Sequence, residues 1–397
     1  MNLAKRISEV APSPTLSLDA KTKALKASGQ DIVNFGVGEP DFDTPEHIKA
    51  AAIKAIEDNF TRYTDSGGIP ELKAAVAAKF KRDNNLDYAP EQIVISCGGK
   101  HALYNLAQAL FAEGDEVIIP APYWVSYPSI VILAGARPVI VPTSEKNGFK
   151  MTREDLKRAV NSKTKAVILN SPSNPTGSVY TRAELEALAE VVLEHDLLVI
   201  SDDIYEKIIY DGLEFVNLAN LGPELKARTI IAHGVAKTYA MTGWRIGYLA
   251  GPKEVAAAVN KLQSQSTSNP CSIAQKAALA ALTGPEDSVT TMRAAFDERR
   301  KYLVETLNGM EGVSCLRPGG AFYVFPKVSA CYGRKAGNRT ITGSNDLADH
   351  LLEEAGIAVV PGAAFGDDQC LRLSYAISLA DNKKGLSRLA AGLASLK

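Results

Sequence analysis

From about residue 90 to residue 235 the chain repeats one alternation, in which short apolar runs are separated by helical ones. The apolar runs are QIVIS, DEVIIP, RPVIVP, KAVILN, LLVISD and RTIIAH, rich in Val and Ile. ALYNLAQALFA, REDLKRAV and RAELEALAEVVLEH, which lie between them, carry apolar residues at helical spacing. Strands that are apolar on both faces must be covered on both faces, so the pattern predicts a mostly parallel sheet between two layers of helix. In such α/β sheets ligands bind beyond the carboxyl ends of the strands. Chemistry is therefore expected in the residues that follow each run.

Outside this stretch the texture differs. LDAKTKALKASG reads as an amphipathic helix ended by Gly29, DIVNFGVG as a short strand entering a Gly-Pro loop, and PEHIKAAAIKAIED as a helix with Pro in its first turn. Beyond about residue 253 come long helices, then RPGGAFYVFP, IAVVPGAAFG and LRLSYAIS, and a last helix, which suggests a smaller α+β domain. The expected division is an N-terminal arm with part of the small domain over 1–45, a large domain over 46–285 and a small domain over 286–397.

Composition excludes several classes. The 44 basic and 45 acidic side chains nearly cancel, which argues against nucleic-acid binding and electrostatic attachment to membranes. The five cysteines form no CxxC pair and the five histidines no HxxxH pair, so buried thiols in a reducing compartment and no metal site are expected. The N-terminus lacks an apolar signal core, and no apolar run approaches the roughly 20 residues that span a bilayer. The expected location is the cytoplasm.

The strand ends carry a consistent set of groups. After QIVIS, two glycines open a helix, so the N–H groups of Gly99 and Lys100 can face an anion. After DEVIIP, Trp124 or Tyr123 is placed to stack on a flat ring, and after KAVILN the turn SPSNPTG offers the amide of Asn174. LLVIS ends at Asp202, a carboxylate that needs a positive partner, with Tyr205 three residues on. RTIIAHG leads to Lys237 among mostly uncharged residues, the setting that suits a Schiff-base lysine, and then to Arg245, suited to clamp a phosphate. Each group alone also fits a turn, a core aromatic or a solvated charge. Together, in this order, they match what pyridoxal 5′-phosphate (PLP) requires: a phosphate site, a ring platform, a donor to the phenolic oxygen, a carboxylate for the ring nitrogen and an amine.

The segments FGVGEPDFDTP, RYTDSGGIPELKAAVAAKF, SCGGKHALYNL, NSPSNPTG, SDDIYEKIIYDG, AKTYAMTGWRIGY and PGGAFYVFP give the chain a further property. Along essentially its whole length it resembles the class I PLP-dependent aminotransferases of fold type I, in the bacterial aspartate aminotransferase branch. The resemblance implies a mostly parallel seven-stranded sheet with a smaller α+β domain, and a homodimer with shared active sites. It implies catalytic roles for Lys237, which carries the cofactor as an aldimine and shuttles the proton, and for Asp202 on the ring nitrogen and Tyr205 on the phenolic oxygen. Asn174 matches the second donor to that oxygen, and Trp124 the stacking residue. Gly99, Lys100 and Arg245 match phosphate or substrate contacts, and Tyr63 the tyrosine that reaches the neighbouring subunit's phosphate. Arg372 matches the clamp for the substrate α-carboxylate, with the backbone of Gly38 beside it.

Two departures stand out. Gly234 occupies a position where many relatives have a phosphate-binding Ser, and KLQSQSTSNPCSIAQ offers no arginine for a distal carboxylate, a task Lys100 can take. The implied reaction is a ping-pong exchange between aspartate or glutamate and their 2-oxo acids. Alternatives on the same scaffold are a prephenate or aromatic aminotransferase and a PLP-dependent carbon–sulfur lyase. A transcriptional regulator is disfavoured, because that needs an added DNA-binding segment of roughly 60 residues. Asp203 is expected to point away from the site and tolerate substitution.

Overall fold

The structure, a computed structural model, describes residues 3–397. A seven-stranded sheet forms its centre. The strands are β1 (Ile93–Ser96), β2 (Glu116–Ala121), β3 (Arg137–Pro142), β4 (Thr164–Asn170), β5 (Leu198–Asp202), β6 (Thr229–Gly234) and β7 (Gly247–Ala250). Their order across the sheet is β1-β7-β6-β5-β4-β2-β3, and only β7 runs against its neighbours. The six apolar runs of the sequence are the other six strands. β7 was not legible as a run because it is four residues long and begins on glycine. That glycine is required: a Cβ on Gly247 would lie 2.2 Å from the backbone N of Gly99.

Alternation along the strands feeds two layers. Val94, Val117, Ile119, Ile168, Ile200, Ile230 and Leu249 pack on one face with Leu103 and Leu106 of the helix Gly99–Leu110 and Val255 and Val259 of the helix Lys253–Ser264. Their sequence neighbours Ile118, Val167, Leu169 and Val199 face the other way, against Leu185 and Leu188 of the helix Arg182–Glu194. Ile93, Ile95, Ile231 and Tyr248 do the same against Leu72, Val76 and Phe80 of the helix Pro70–Asn84. Each such side chain contributes on the order of 1.5–3 kcal/mol by leaving water. Capping boxes at Thr152–Asp155 and Thr181–Glu184 satisfy the first N–H groups of two covering helices.

The remaining elements build a second core. Val33–Asn34 pairs in parallel with Ile357–Ala358, and Leu371–Ser374 lies between Val360–Pro361 and Tyr323–Val324. Phe35, Phe296, Leu303, Phe322, Leu351, Leu373 and Leu389 pack there under the helices Asp287–Asn308, Ser344–Ala355 and Leu379–Ala394. Tyr205, Ile208 and Tyr210, just beyond β5, belong to this same core. Arg300, fully buried, fixes the junction through Asp211 at 2.8 Å and the carbonyl of Pro318 at 2.7 Å. Among the described residues no helix is long and apolar enough to cross a membrane, and no group of side chains is arranged to hold a metal.

Candidate active site

Strand register brings the chemistry to one edge of the sheet. Asn170 lies opposite Asp202, Asp202 opposite Ala232, and Gly234 and Ser96 both opposite Gly247. Beyond these ends opens a cleft of about 610 Å3, closed on its far side by Gly36–Glu39, Tyr323 and Arg372. Ten of the residues singled out from sequence line it: Gly38, Gly99, Lys100, Trp124, Asn174, Asp202, Tyr205, Lys237, Arg245 and Arg372.

Lys237 sits three residues past β6, and its Nζ donates to the carbonyl of Gly38 at 2.5 Å. Burial pushes its ammonium down to about 8. The cations Arg245 and Arg372 act in the same direction, while Glu39 and Asp202 oppose them. An amine held there is available in its neutral, nucleophilic form near physiological pH. The preceding segment is anchored behind the sheet, where Glu206 meets His233 at 3.3 Å, accepts from Asn84 at 2.9 Å and pairs with Lys79.

Asp202 ends β5 with its carboxylate in the cleft. Tyr127 donates to its Oδ2 at 2.6 Å, and the amide of Asn170 holds its main-chain carbonyl at 2.8 Å. Burial raises the Asp202 carboxyl, and the hydrogen bond from Tyr127 draws it back. Tyr205, buried, shares a hydrogen bond with Tyr323 at 2.9 Å. Asn174 receives one guanidinium N–H of Arg372 on its Oδ1 at 3.1 Å, and among the described residues its amide NH2 finds no acceptor.

Four cations line the cleft without a carboxylate within ion-pairing distance among the described residues: Lys100, Lys237, Arg245 and Arg372. Arg372 is 2% exposed, stacks over Tyr323 at 4.6 Å and donates to the carbonyl of Gly36 at 2.7 Å, while its Nε has no partner. Lys100 lies 5.0 Å over the Trp124 ring, its ammonium lowered by burial and by Arg245. Arg245 packs on Gly98 so closely that a Cβ there would meet Nη2 at 2.4 Å, and Gly98 has φ +95°. Gly98 is the cap of the helix Gly99–Leu110 and offers no side chain to its first N–H groups. The Arg245 guanidinium donates to the carbonyl of Thr242 at 2.8 Å and meets no carboxylate among the described residues, and a helix N-terminus with such a cation beside it suits a phosphate-like anion. A second anion site lies at Arg372. The donor set fits a ligand with a phosphate at one end and a carboxylate at the other.

Three expectations need comment. Tyr63 is 92% exposed and outside the cleft of its own chain. Gly234 has little room for a side chain, because a Cβ would lie 3.0 Å from the Ile246 carbonyl and from Gly247 Cα. Asp203 does point away from the cleft, but it is buried, accepts from Ser201 at 2.7 Å and Asn217 at 2.5 Å, and has its carboxyl pushed up to about 8 by burial. The expected tolerance to substitution is therefore corrected: removing it strands two buried donors. Sequence reasoning missed Tyr127, Tyr323 and the carbonyl of Gly36. Tyr127, three residues after Trp124 and in the first turn of the helix Ser126–Leu133, carried a local signal; the other two come from distant segments.

A sheet with its polar groups gathered at the carboxyl edge, a lysine whose ammonium is depressed by burial and further cations facing an open cleft make the arrangement of an enzyme for small anionic molecules. The chain belongs to the aminotransferase class I and II family, whose model matches residues 30–389. It is 53% identical over 379 residues to an aspartate aminotransferase of Geobacillus stearothermophilus, covering 96% of this chain and 95% of that one. Over 396 residues it is 50% identical to an aspartate/prephenate aminotransferase of Cereibacter sphaeroides, covering 99% of both. The aspartate aminotransferase from Thermus thermophilus, solved with maleate, superposes with a TM-score of 0.93 at 44% identity, covering 99% of this chain and all of that one.

Proposed function

We propose that this aminotransferase uses PLP to exchange the amino group between L-aspartate or L-glutamate and 2-oxoglutarate or oxaloacetate. The observation that carries the reading is the set of unpaired cations around Lys237 and Asp202. When bound, PLP supplies an aldehyde that takes up the amino group and a ring that accepts electron density. The first turn at Gly99 and Lys100, with Arg245, holds the phosphate. Trp124 stacks on the ring, Asn174 and Tyr205 donate to its phenolic oxygen, and Asp202 keeps its nitrogen protonated. Arg372 grips the substrate α-carboxylate beside the backbone of Gly38, which orients the Cα–H bond toward Lys237. Lys237, released as a free amine, takes that proton and returns it.

Relatives named for aspartate, and maleate in the Thermus protein, support a dicarboxylic substrate. Prephenate, also a dicarboxylate, is the second reading, favoured by the Cereibacter relative. Mixing the protein with PLP, aspartate and 2-oxoglutarate is expected to yield oxaloacetate, and failure with this pair alongside turnover of prephenate would favour the second reading. Lys100 is the distal clamp in either case. Lys100→Ala should cost aspartate and glutamate about 2–4 kcal/mol in kcat/KM while leaving alanine and phenylalanine nearly unchanged. A uniform loss with weakened PLP retention would assign Lys100 to the cofactor instead.

The active unit in this reading is a homodimer, supported by Tyr63, whose exposed ring lies outside the cleft of its own chain. Mixed Lys237→Ala and Tyr63→Ala subunits should form heterodimers with one unimpaired site and regain activity. No recovery despite subunit exchange would place Tyr63 elsewhere. The proposed division into 1–45, 46–285 and 286–397 is supported by the second core, which joins Val33 and Phe35 to residues from Met292 onward, with Tyr205, Ile208 and Tyr210 reaching into it from the large domain, and five free thiols suit a reducing cytoplasm.

A further inference from the structure

We propose that Tyr127 is a positioning residue for Asp202, fixing the carboxylate through Oδ2 so that Oδ1 is the oxygen left for the ring nitrogen of the cofactor. This rests on the reading that Asp202 serves that nitrogen. The geometry is specific. Tyr127 is 3% exposed, and its hydroxyl donates to Asp202 at 2.6 Å and to nothing else. Its main-chain N–H donates to the carbonyl of Trp124 at 3.0 Å, and the Trp124 ring meets its own edge-on, with centroids 5.3 Å apart at 84°. One turn at the start of the helix Ser126–Leu133 thus sets both the ring platform and the carboxylate. Among the described residues the only donor to Oδ1 is the distant N–H of Ile204 at 3.4 Å.

The chemistry of the partner matters. A buried carboxylate without a donor takes up a proton, and a protonated Asp202 no longer holds a positive charge on the ring nitrogen. A cation at Oδ2 would keep it ionised but would cancel the field it exerts on the ring. A neutral phenol keeps the carboxylate ionised and leaves its negative charge in place. The other groups facing Asp202 do not duplicate this. Tyr205 is engaged with Tyr323, Lys237 with the carbonyl of Gly38, and Asp203 points to Ser201 and Asn217. His233 is turned to the N–H of Gly234 through Nδ1 at 2.6 Å and to Glu206 through Nε2 at 3.3 Å.

The test measures binding to the apoprotein, using PLP and its carbocyclic analogue in which a C–H replaces the ring nitrogen. The wild-type protein should bind PLP more tightly, because the analogue buries an ionised Asp202 without a partner. In Tyr127→Phe the carboxyl accepts a proton more readily and the analogue is penalised less. The ratio of the two affinities should fall on the order of tenfold, one pKa unit's worth. In an Asp202→Asn background the same substitution should leave the ratio unchanged. A packing role alone would weaken both ligands together, and an unchanged ratio in Tyr127→Phe overturns the proposal. If the wild-type protein itself does not discriminate, the assignment of Asp202 fails and takes the proposal with it. Should Tyr127→Phe not fold, 3-fluorotyrosine at position 127 strengthens the donor and should raise the ratio; no rise would overturn the proposal equally.

Discussion

Lys237→Ala is expected to abolish transamination, with a loss of at least about 10^4-fold, because in the proposed function the residue serves as both attachment point and proton carrier. PLP should still bind through the first turn at Gly99 and through Arg245, but without the visible absorbance of a covalently held cofactor. An unchanged spectrum in the variant would place the attachment elsewhere. Lys237→Met adds a second, independent readout. In the fold the ammonium is lowered to about 8 from 10.5, so keeping it charged costs stability at every pH below about 8. That cost fades as pH rises toward 10.5, where the unfolded chain also loses the proton. The Met apoprotein should therefore be more stable than wild type by up to roughly 3 kcal/mol at pH 7, with the gain vanishing by about pH 10.5. A gain independent of pH would mean that packing, not charge, is responsible.

Arg372→Ala should impair every amino acid donor, acidic or neutral, by about 3 kcal/mol or more in kcat/KM. The guanidinium is buried, its protein partners are a carbonyl, an amide oxygen and two aromatic faces, and its Nε is unpaired. Among the described residues no carboxylate pairs with it, so in the proposed function its charge is available to the carboxylate common to all donors. Arg372→Lys should recover little, because a lysine cannot keep the contacts to Gly36 and Asn174 while gripping both oxygens. A loss confined to aspartate and glutamate would exchange the roles of Arg372 and Lys100.

Much of this was legible in sequence where local rules suffice. Apolar runs at strand length named six strands, and the rule that ligands gather at carboxyl ends located Asp202, Asn174 and Lys237 before any geometry was known. The unread parts are those decided by long-range packing. β7 is written as glycine because Gly99 presses on it, not because GYLA has a strand signature. Tyr323 and the Gly36 carbonyl reach the cleft only because strands from opposite ends of the chain meet there. Asp203 was misjudged for the same reason: alternation tells which way a side chain points, but not that Ser201 and Asn217 wait on the other side.

The pairing of Val33–Asn34 with Ile357–Ala358, and the bond from Arg372 to Gly36, have a consequence for biosynthesis. The sheet with Asp202 and Lys237 lies wholly within the first 250 residues and can form while the ribosome is still at work. The grip proposed for the substrate carboxylate cannot, because Arg372 and the Gly36 carbonyl that holds it are separated by 336 positions. A nascent chain that has not yet released Arg372 therefore has its reactive amine but nothing to orient a substrate against it, and activity arrives only with the last strand.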